Sequence, residues 1–305
     1  MIPYSMPTIQ KGPVIGMAFL FGLAFFGFSA SSEIRVSSDN LPFDLTFRAL
    51  HPGELVLATL KKNADIKRAV IRFQDRRYVL ENGENNSKRL AFIGIDLNCQ
   101  PQSYVMDILV EMDNGRKETV QKEILVSPKE FPVKKMWVKD AFVTPPPEVE
   151  ERIRLEAELL RIIYSRTTPE WLGEGNFSLP MEGNIAPNFG QRRIYNNLPR
   201  SPHSGVDISA PWGTPIKASN SGKVVLARDL YYSGKTVIID HGLGVFTIYC
   251  HLSRISVQIG DLVKKGDVIG KEGSTGRSTG PHLHFGVKIF DSRVDPISLL
   301  TLSLE

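Results

Sequence analysis

Cysteine is scarce in this 305-residue chain, with Cys99 and Cys250 the only two. Two thiols cannot build a disulfide framework or a four-cysteine zinc site. A strong charge of one sign is missing as well. Lys+Arg 37 against Asp+Glu 33 leaves a formal charge of +4, too dilute for the concentrated basic stripe that nucleic-acid binding needs. Hydrophobic residues at 42% and charged residues at 23% exclude a wholly disordered or collagen-like chain. Histidine is also sparse, at six, but it is unevenly placed: His203, His241, His251, His282 and His284 all follow residue 200, leaving only His51 before it. That clustering is the first pointer to chemistry.

The chain lacks an apolar run long enough to cross a bilayer unaided. Val14–Phe28 would reach about 22 Å as a helix at about 1.5 Å per residue, short of the roughly 30 Å hydrocarbon core. Lys11 precedes the run, and Ser29, Ala30, Ser31 and Ser32 follow it. A basic start, a short apolar core and small residues after it read as a secretory signal peptide over residues 1–32, with an uncleaved membrane anchor as the alternative. Either reading exports the remainder to the periplasm or cell envelope, free or anchored to the inner membrane. Cys99 and Cys250 fall in different expected domains, so two buried free thiols are expected rather than a bridge.

Residues 33–140 read as short strands. Phe43, Leu45, Phe47 and Ala49 alternate with polar residues, and β-rich runs follow at 55–60, 69–73, 90–97, 104–110 and 119–126. Asp113-Asn114-Gly115 is a hairpin signal, because Asn and Gly tolerate the positive φ of a tight turn. The expectation is an immunoglobulin-like β-sandwich. His51, beside Pro52 and Gly53, reads as a turn residue.

Thr144-Pro145-Pro146-Pro147 breaks the pattern as a stiff linker. The period then becomes helical, with Val149, Ile153, Leu160 and Ile163 on one face. Glu148–Arg152 and Glu150–Arg154 are spaced for i,i+4 pairing. Residues 141–170 therefore read as a Pro-rich linker and an amphipathic helix of about four turns, a strut packed between domains. Residues 171–305 return to Gly and β-branched residues, a second all-β domain.

Three elements in that domain carry potential chemistry. His203-Ser204-Gly205-Val206-Asp207 would span about 13 Å in a flat strand, too far to hold one ion, so the chain would have to curl at Gly205. Pro281-His282-Leu283-His284-Phe285 places two imidazoles on one strand face, about 6.6 Å apart. Tyr249-Cys250-His251-Leu252-Ser253 ends a strand with a third. Taken singly, each fits an ordinary structural role. Together they offer four imidazoles and a carboxylate, and two imidazoles with one carboxylate are the set that holds a hydrolytic zinc ion and leaves one position open.

With Phe189-Gly190, Gly213-Thr214-Pro215, Gly266-Asp267-Val268-Ile269-Gly270 and Gly273-Ser274-Thr275-Gly276 around them, these motifs resemble the lysostaphin/LytM-type zinc metallopeptidases over about residues 177–300. The resemblance implies an antiparallel β domain with its site in a groove, acting on peptide bonds in peptidoglycan stems or cross-links. It implies one Zn2+ held by His203, Asp207 and His284, with His251 and His282 as catalytic groups. It also leaves an alternative, a non-catalytic LytM-like regulator that activates other wall hydrolases, although such relatives lose ligands and all five positions are intact here. His241 matches no ligand of that pattern and reads as a turn residue. Trp212, Tyr231 and Tyr232 could line a substrate groove, but core packing is the preferred reading.

Overall fold

The computed structural model describes residues 34–38, 41–61, 65–84, 88–166 and 168–304; the leader or anchor expected over residues 1–32 lies outside them. Among the described residues, no helix is long and apolar enough to cross a membrane. Ser31–Glu305 is a single compact unit, mostly β, as its composition of β-branched runs and Gly-rich turns suggests.

Among the described residues, nine strands come first: β1 (Ile34–Ser38), β2 (Leu41–Phe47), β3 (Leu55–Lys61), β4 (Ile66–Phe73), β5 (Arg76–Val79), β6 (Glu81–Asn82), β7 (Lys88–Gly94), β8 (Ser103–Met112) and β9 (Lys117–Leu125). They form two antiparallel sheets, ordered β1-β2-β3-β7-β6 and β5-β4-β8-β9. Period-2 patterning explains the burial: Met106, Ile108 and Val110 on β8 are buried while their neighbours are not. The expected hairpin joins β8 to β9, with Gly115 at φ +82° and the Arg116 N–H donating to Asn114 Oδ1. Ala49 falls beyond the end of β2. β5 carried no turn glycine to announce it, since Gln74 itself takes the left-handed conformation.

β10 (Val133–Met136) lies before the proline linker, and α1 (Pro147–Ser165) follows it. The helix has nineteen residues, about a turn longer than expected, with Pro147 in its first turn where its missing N–H costs nothing. Its apolar face does not bridge two domains. Leu159, Leu160, Ile163 and Tyr164 pack on Leu226, Leu230, Ile238 and Phe246, and the Tyr164 and Phe246 rings meet edge to face at 5.4 Å. The expected Glu148–Arg152 and Glu150–Arg154 pairs are replaced by Arg152–Glu156, Arg154–Glu151 and Arg161–Glu158, each at 2.7 Å. On an exposed helix face several i,i+3 and i,i+4 partners compete within a few tenths of a kcal/mol, and Arg152 also reaches the Asp229 carbonyl.

The remaining chain supplies β11 (Asn184–Ala186), β12 (Arg192–Tyr195), β13 (Leu198–Pro199), β14 (Gly205–Ser209), β15 (Pro215–Lys217), β16 (Gly222–Leu230), β17 (Gly234–Asp240), β18 (Val245–Leu252), β19 (Arg254–Ile255), β20 (Leu262–Val263), β21 (Val268–Lys271), β22 (Leu283–Ile289), β23 (Ser292–Val294) and α2 (Pro296–Leu300). The main sheet is ordered β11-β14-β22-β18-β17-β16-β20, with β23 also on β22. Every pairing within it is antiparallel. Residues 236–240 of interior strand β17 are a continuous buried run because α1 covers one face and the main core the other. β10 pairs in parallel with β12, so the segment before the linker reaches the edge of the later sheets.

Salt bridges join the early sheets to the C-terminal end: Arg48 to Glu54 and Asp295, and Asp96 to Arg293 at 2.8 Å. Both cysteines are free. Cys250 is buried as expected, whereas Cys99 is only half-buried, beside Gln74 and Tyr104 at the surface.

Candidate active site

Strand register brings the first two site residues together. Asp207 on β14 faces His284 on β22 directly across an antiparallel ladder, and Cys250 on β18 faces His284 from the other side. His203 sits just before β14, pinned by its own N–H to the Gln191 carbonyl and by the Gly190 N–H to its carbonyl. The segment does bend, bringing His203 Nε2 to 3.1 Å from Asp207 Oδ1. Gly205 serves this differently from the curl expected of it. Its φ is not positive; instead a Cβ there would run into the Phe285 carbonyl and the His284 ring. The glycine gives close approach rather than an unusual backbone.

The remaining two imidazoles come from a bulge and a loop. His251, next to last in β18, has φ +65°, a left-handed conformation that non-glycine residues rarely adopt and that clusters at functional sites. It lies where the β17–β18 register shifts between Lys235 and Val237. His282 precedes β22 and is anchored by its N–H to the Gly273 carbonyl. The His251 and His282 rings are 4.9 Å apart, and His203 and His284 are 4.7 Å apart.

Three of these rings are held in a defined tautomer. Nδ1 of His203 lies 2.9 Å from the Asn188 carbonyl, Nδ1 of His251 2.8 Å from the Thr275 carbonyl and Nδ1 of His282 2.8 Å from the Gly280 carbonyl. A carbonyl only accepts, so each Nδ1 must donate, and a neutral ring then presents a bare lone pair at Nε2. Burial lowers His203 to about 4 and His251 to about 3, which keeps both rings neutral near pH 7.

His203 Nε2, His284 Nδ1 and Asp207 Oδ1 therefore converge at 2.8, 3.1 and 3.1 Å from one another. Three electron-pair donors at such spacing repel unless a cation or proton lies among them. Two nitrogens and one carboxylate oxygen form a set suited to a divalent ion such as zinc. The three ligand atoms lie within the 4.8 Å that a shared ion allows. Asp207 offers one oxygen only, because Oδ2 accepts from Asn188 Nδ2 at 2.8 Å and from the Arg193 guanidinium at 2.9 Å.

Sequence reasoning missed Asn188 and Arg193. Asn188 stands next to Phe189-Gly190, which did belong to the resemblance; Arg193 has no local signature. His241 needs a correction. It does lead into the Gly242 turn, yet its ring is fully buried and bonded at both nitrogens, to the Ser221 carbonyl and Thr247 Oγ1, each at 2.7 Å. Trp212 is 62% exposed and so is not a core residue. Tyr231 packs on Phe142 of the linker, and Tyr232 lines the groove. His51 is in a turn, bonded to the Ser127 carbonyl.

The cluster opens into a groove of about 930 Å³. Thr236, Ile238 and Ile248 of the sheet line it, and Leu160 and Tyr164 bring α1 to its far end.

Residues 201–296, which contain all five site residues, match the model of peptidase family M23. A crystal structure of a Pseudomonas aeruginosa protein assigned to peptidase M23 is 30% identical, with a TM-score of 0.63 over 83% of this chain and 95% of that one. The chain belongs to peptidase family M23. Two curated relatives are similar over about a third of this chain. The peptidoglycan DD-endopeptidase ShyA of Vibrio cholerae is 46% identical over 102 residues, 33% of this chain and 24% of ShyA. The DD-carboxypeptidase/endopeptidase Mpg of Neisseria meningitidis is 46% identical over 97 residues, 32% of this chain and 22% of Mpg. The chain thus spans about a quarter of the length of these curated M23 relatives.

Proposed function

We propose that this M23 protein is a zinc-dependent endopeptidase that hydrolyses peptide bonds in peptidoglycan stems or cross-links, working after export in the periplasm or cell envelope. The observation that carries the reading is the convergence of the His203, Asp207 and His284 lone pairs beside two further imidazoles whose Nε2 atoms are free. The activities in the names of ShyA and Mpg support the same substrate class. In this proposal residues 171–305 do the chemistry, 33–140 form an accessory β region that shares their core, and 141–170 link them, with residues 1–32 acting as leader or membrane anchor.

His203, Asp207 and His284 would hold the ion. When bound, zinc would polarise the scissile carbonyl and bring the pKa of a water near 7. Everything else falls to the protein. Asn188 and Arg193 fix the Asp207 carboxylate, and the Asn188 carbonyl fixes the His203 ring. His251 and His282 are the groups able to move protons. Hydrolysis puts hydroxyl on the carbonyl carbon and a proton on the leaving nitrogen, so one imidazole accepts a proton from water and an imidazolium returns one to the amine. The test is incubation of the protein with a defined cross-linked wall peptide, with and without a chelator, reading products by mass. Chelator-sensitive release of a new amine supports the proposal; an intact peptide contradicts it.

A further inference from the structure

The groove beside the five site residues is markedly basic. Arg76, Arg161, Arg193, Arg277 and Lys288 line it, against one acid, Asp291, which pairs with Arg76 at one end. This local excess is hidden in a chain whose overall charge is only +4. Most of these cations have partners. Arg193 donates to Asp207, Arg161 pairs with Glu158, and Lys288 sits over the Tyr164 ring and donates to the Asp291 carbonyl.

Arg277 differs. Its guanidinium lies between two aromatic faces, 5.0 Å from the Tyr195 ring centre and 4.7 Å from that of Tyr232. Those rings hold the plane of the group but satisfy none of its N–H donors, and among the described residues no carboxylate pairs with it. Arg193 and Arg200 are near enough to repel it. A half-buried cation clamped in one orientation, without a counter-ion, is costly to maintain unless a ligand supplies the missing charge.

The clamp is also fastened to the catalytic pair. The Arg277 backbone N–H donates to the Tyr232 carbonyl at 2.8 Å, the next carbonyl along, from Ser233, accepts from the His251 backbone N–H, and the Thr275 carbonyl holds the His251 ring. We infer that Arg277 anchors a free carboxylate of the wall peptide close to the bond that is cut. A planar guanidinium offers two parallel N–H groups, matched to the two oxygens of a carboxylate. The inference rests on the endopeptidase reading above and adds the substrate feature that the groove recognises.

The test compares two substrates and three proteins. One substrate is a cross-linked wall-peptide dimer with its carboxyl groups free, and the other is the same dimer with them amidated. The native protein should cut the free-carboxyl dimer with the higher kcat/KM. Arg277→Gln should lower kcat/KM for that dimer roughly ten- to hundredfold, leave the amidated dimer nearly unchanged, and so bring the ratio of the two close to one. Arg277→Lys should recover part of the preference, and metal content should stay the same in all three proteins. A native protein without preference, or a variant that loses activity equally on both dimers, overturns the inference while leaving the endopeptidase reading in place. If the native, metal-loaded protein cuts neither dimer, that reading fails and takes this one with it.

Discussion

His203 Nε2 and His284 Nδ1 lie 2.8 Å apart although 81 residues separate them in the chain. Because the Asn188 carbonyl occupies His203 Nδ1, that contact brings a bare lone pair to its partner rather than a proton. Asp207 closes the triangle from the strand next to His284. The sheet register sets Asp207 opposite His284, and the bend before β14 brings His203 to them.

Replacing His203 or Asp207 with Ala should abolish metal retention, seen as loss of stoichiometric zinc after dialysis. Each variant should also fall to background cleavage. Retention of zinc at native stoichiometry by Asp207→Ala would remove Asp207 from the ligand set.

The groups behind Asp207 should matter less, but measurably. Asn188→Ala and Arg193→Met each release one tie on Oδ2, and losses of this kind weaken metal affinity by about 10- to 100-fold. Competition with a chromogenic chelator would show this. Unchanged affinity in both variants would mean the carboxylate is oriented by the strand alone.

His251→Ala and His282→Ala should behave differently from the ligand variants. Zinc should remain bound while kcat drops about 100- to 10,000-fold, the range that general acid–base groups supply. Loss of zinc in His282→Ala would reassign that residue as a ligand, which its 3.6 Å approach to Asp207 Oδ1 makes worth checking.

The legible part of the molecule was its local part. HxxxD and HxH gain meaning from their combination and the resemblance it carries, the α1 face from its 3.6 period, and the β8–β9 hairpin from Asn-Gly. What stayed hidden depends on tertiary contact. Arg193 acts through Asp207 fourteen residues away, and Arg277 takes its meaning from Tyr195 and Tyr232 on two other segments. His241 read as a turn residue because Asp and Gly flank it, yet a bonded chain through Thr247 and Tyr249 to the Ser219 N–H draws its ring inside. Where α1 would pack was equally hidden, since an apolar stripe does not name its partner.

Acid should destabilise the metal-free protein in a defined window. Burial lowers His203 and His241 to about 4 and His251 to about 3, while an unfolded chain protonates its histidines near pH 6.5. The unfolded state therefore binds more protons between these values, so stability is full above about pH 6.5 and is lost as the pH falls toward 4. For the fully buried His241 the share is on the order of 3 kcal/mol. Urea unfolding of native protein and His241→Gln at pH 7, 5.5 and 4.5 should show a shallower loss in the variant. Equal slopes would contradict this.

The central claim is that this M23 site is a working, metal-dependent hydrolase rather than the remnant of one. The most direct test is one sample taken through three states: as zinc-loaded protein, after removal of the metal by a chelator, and after zinc is restored. In each state it meets the same cross-linked wall-peptide dimer, with products read by mass. The account predicts addition of one water across a peptide bond in the first and third states and none in the second. An intact dimer in all three, from protein that demonstrably binds zinc, would contradict it and favour the non-catalytic regulator.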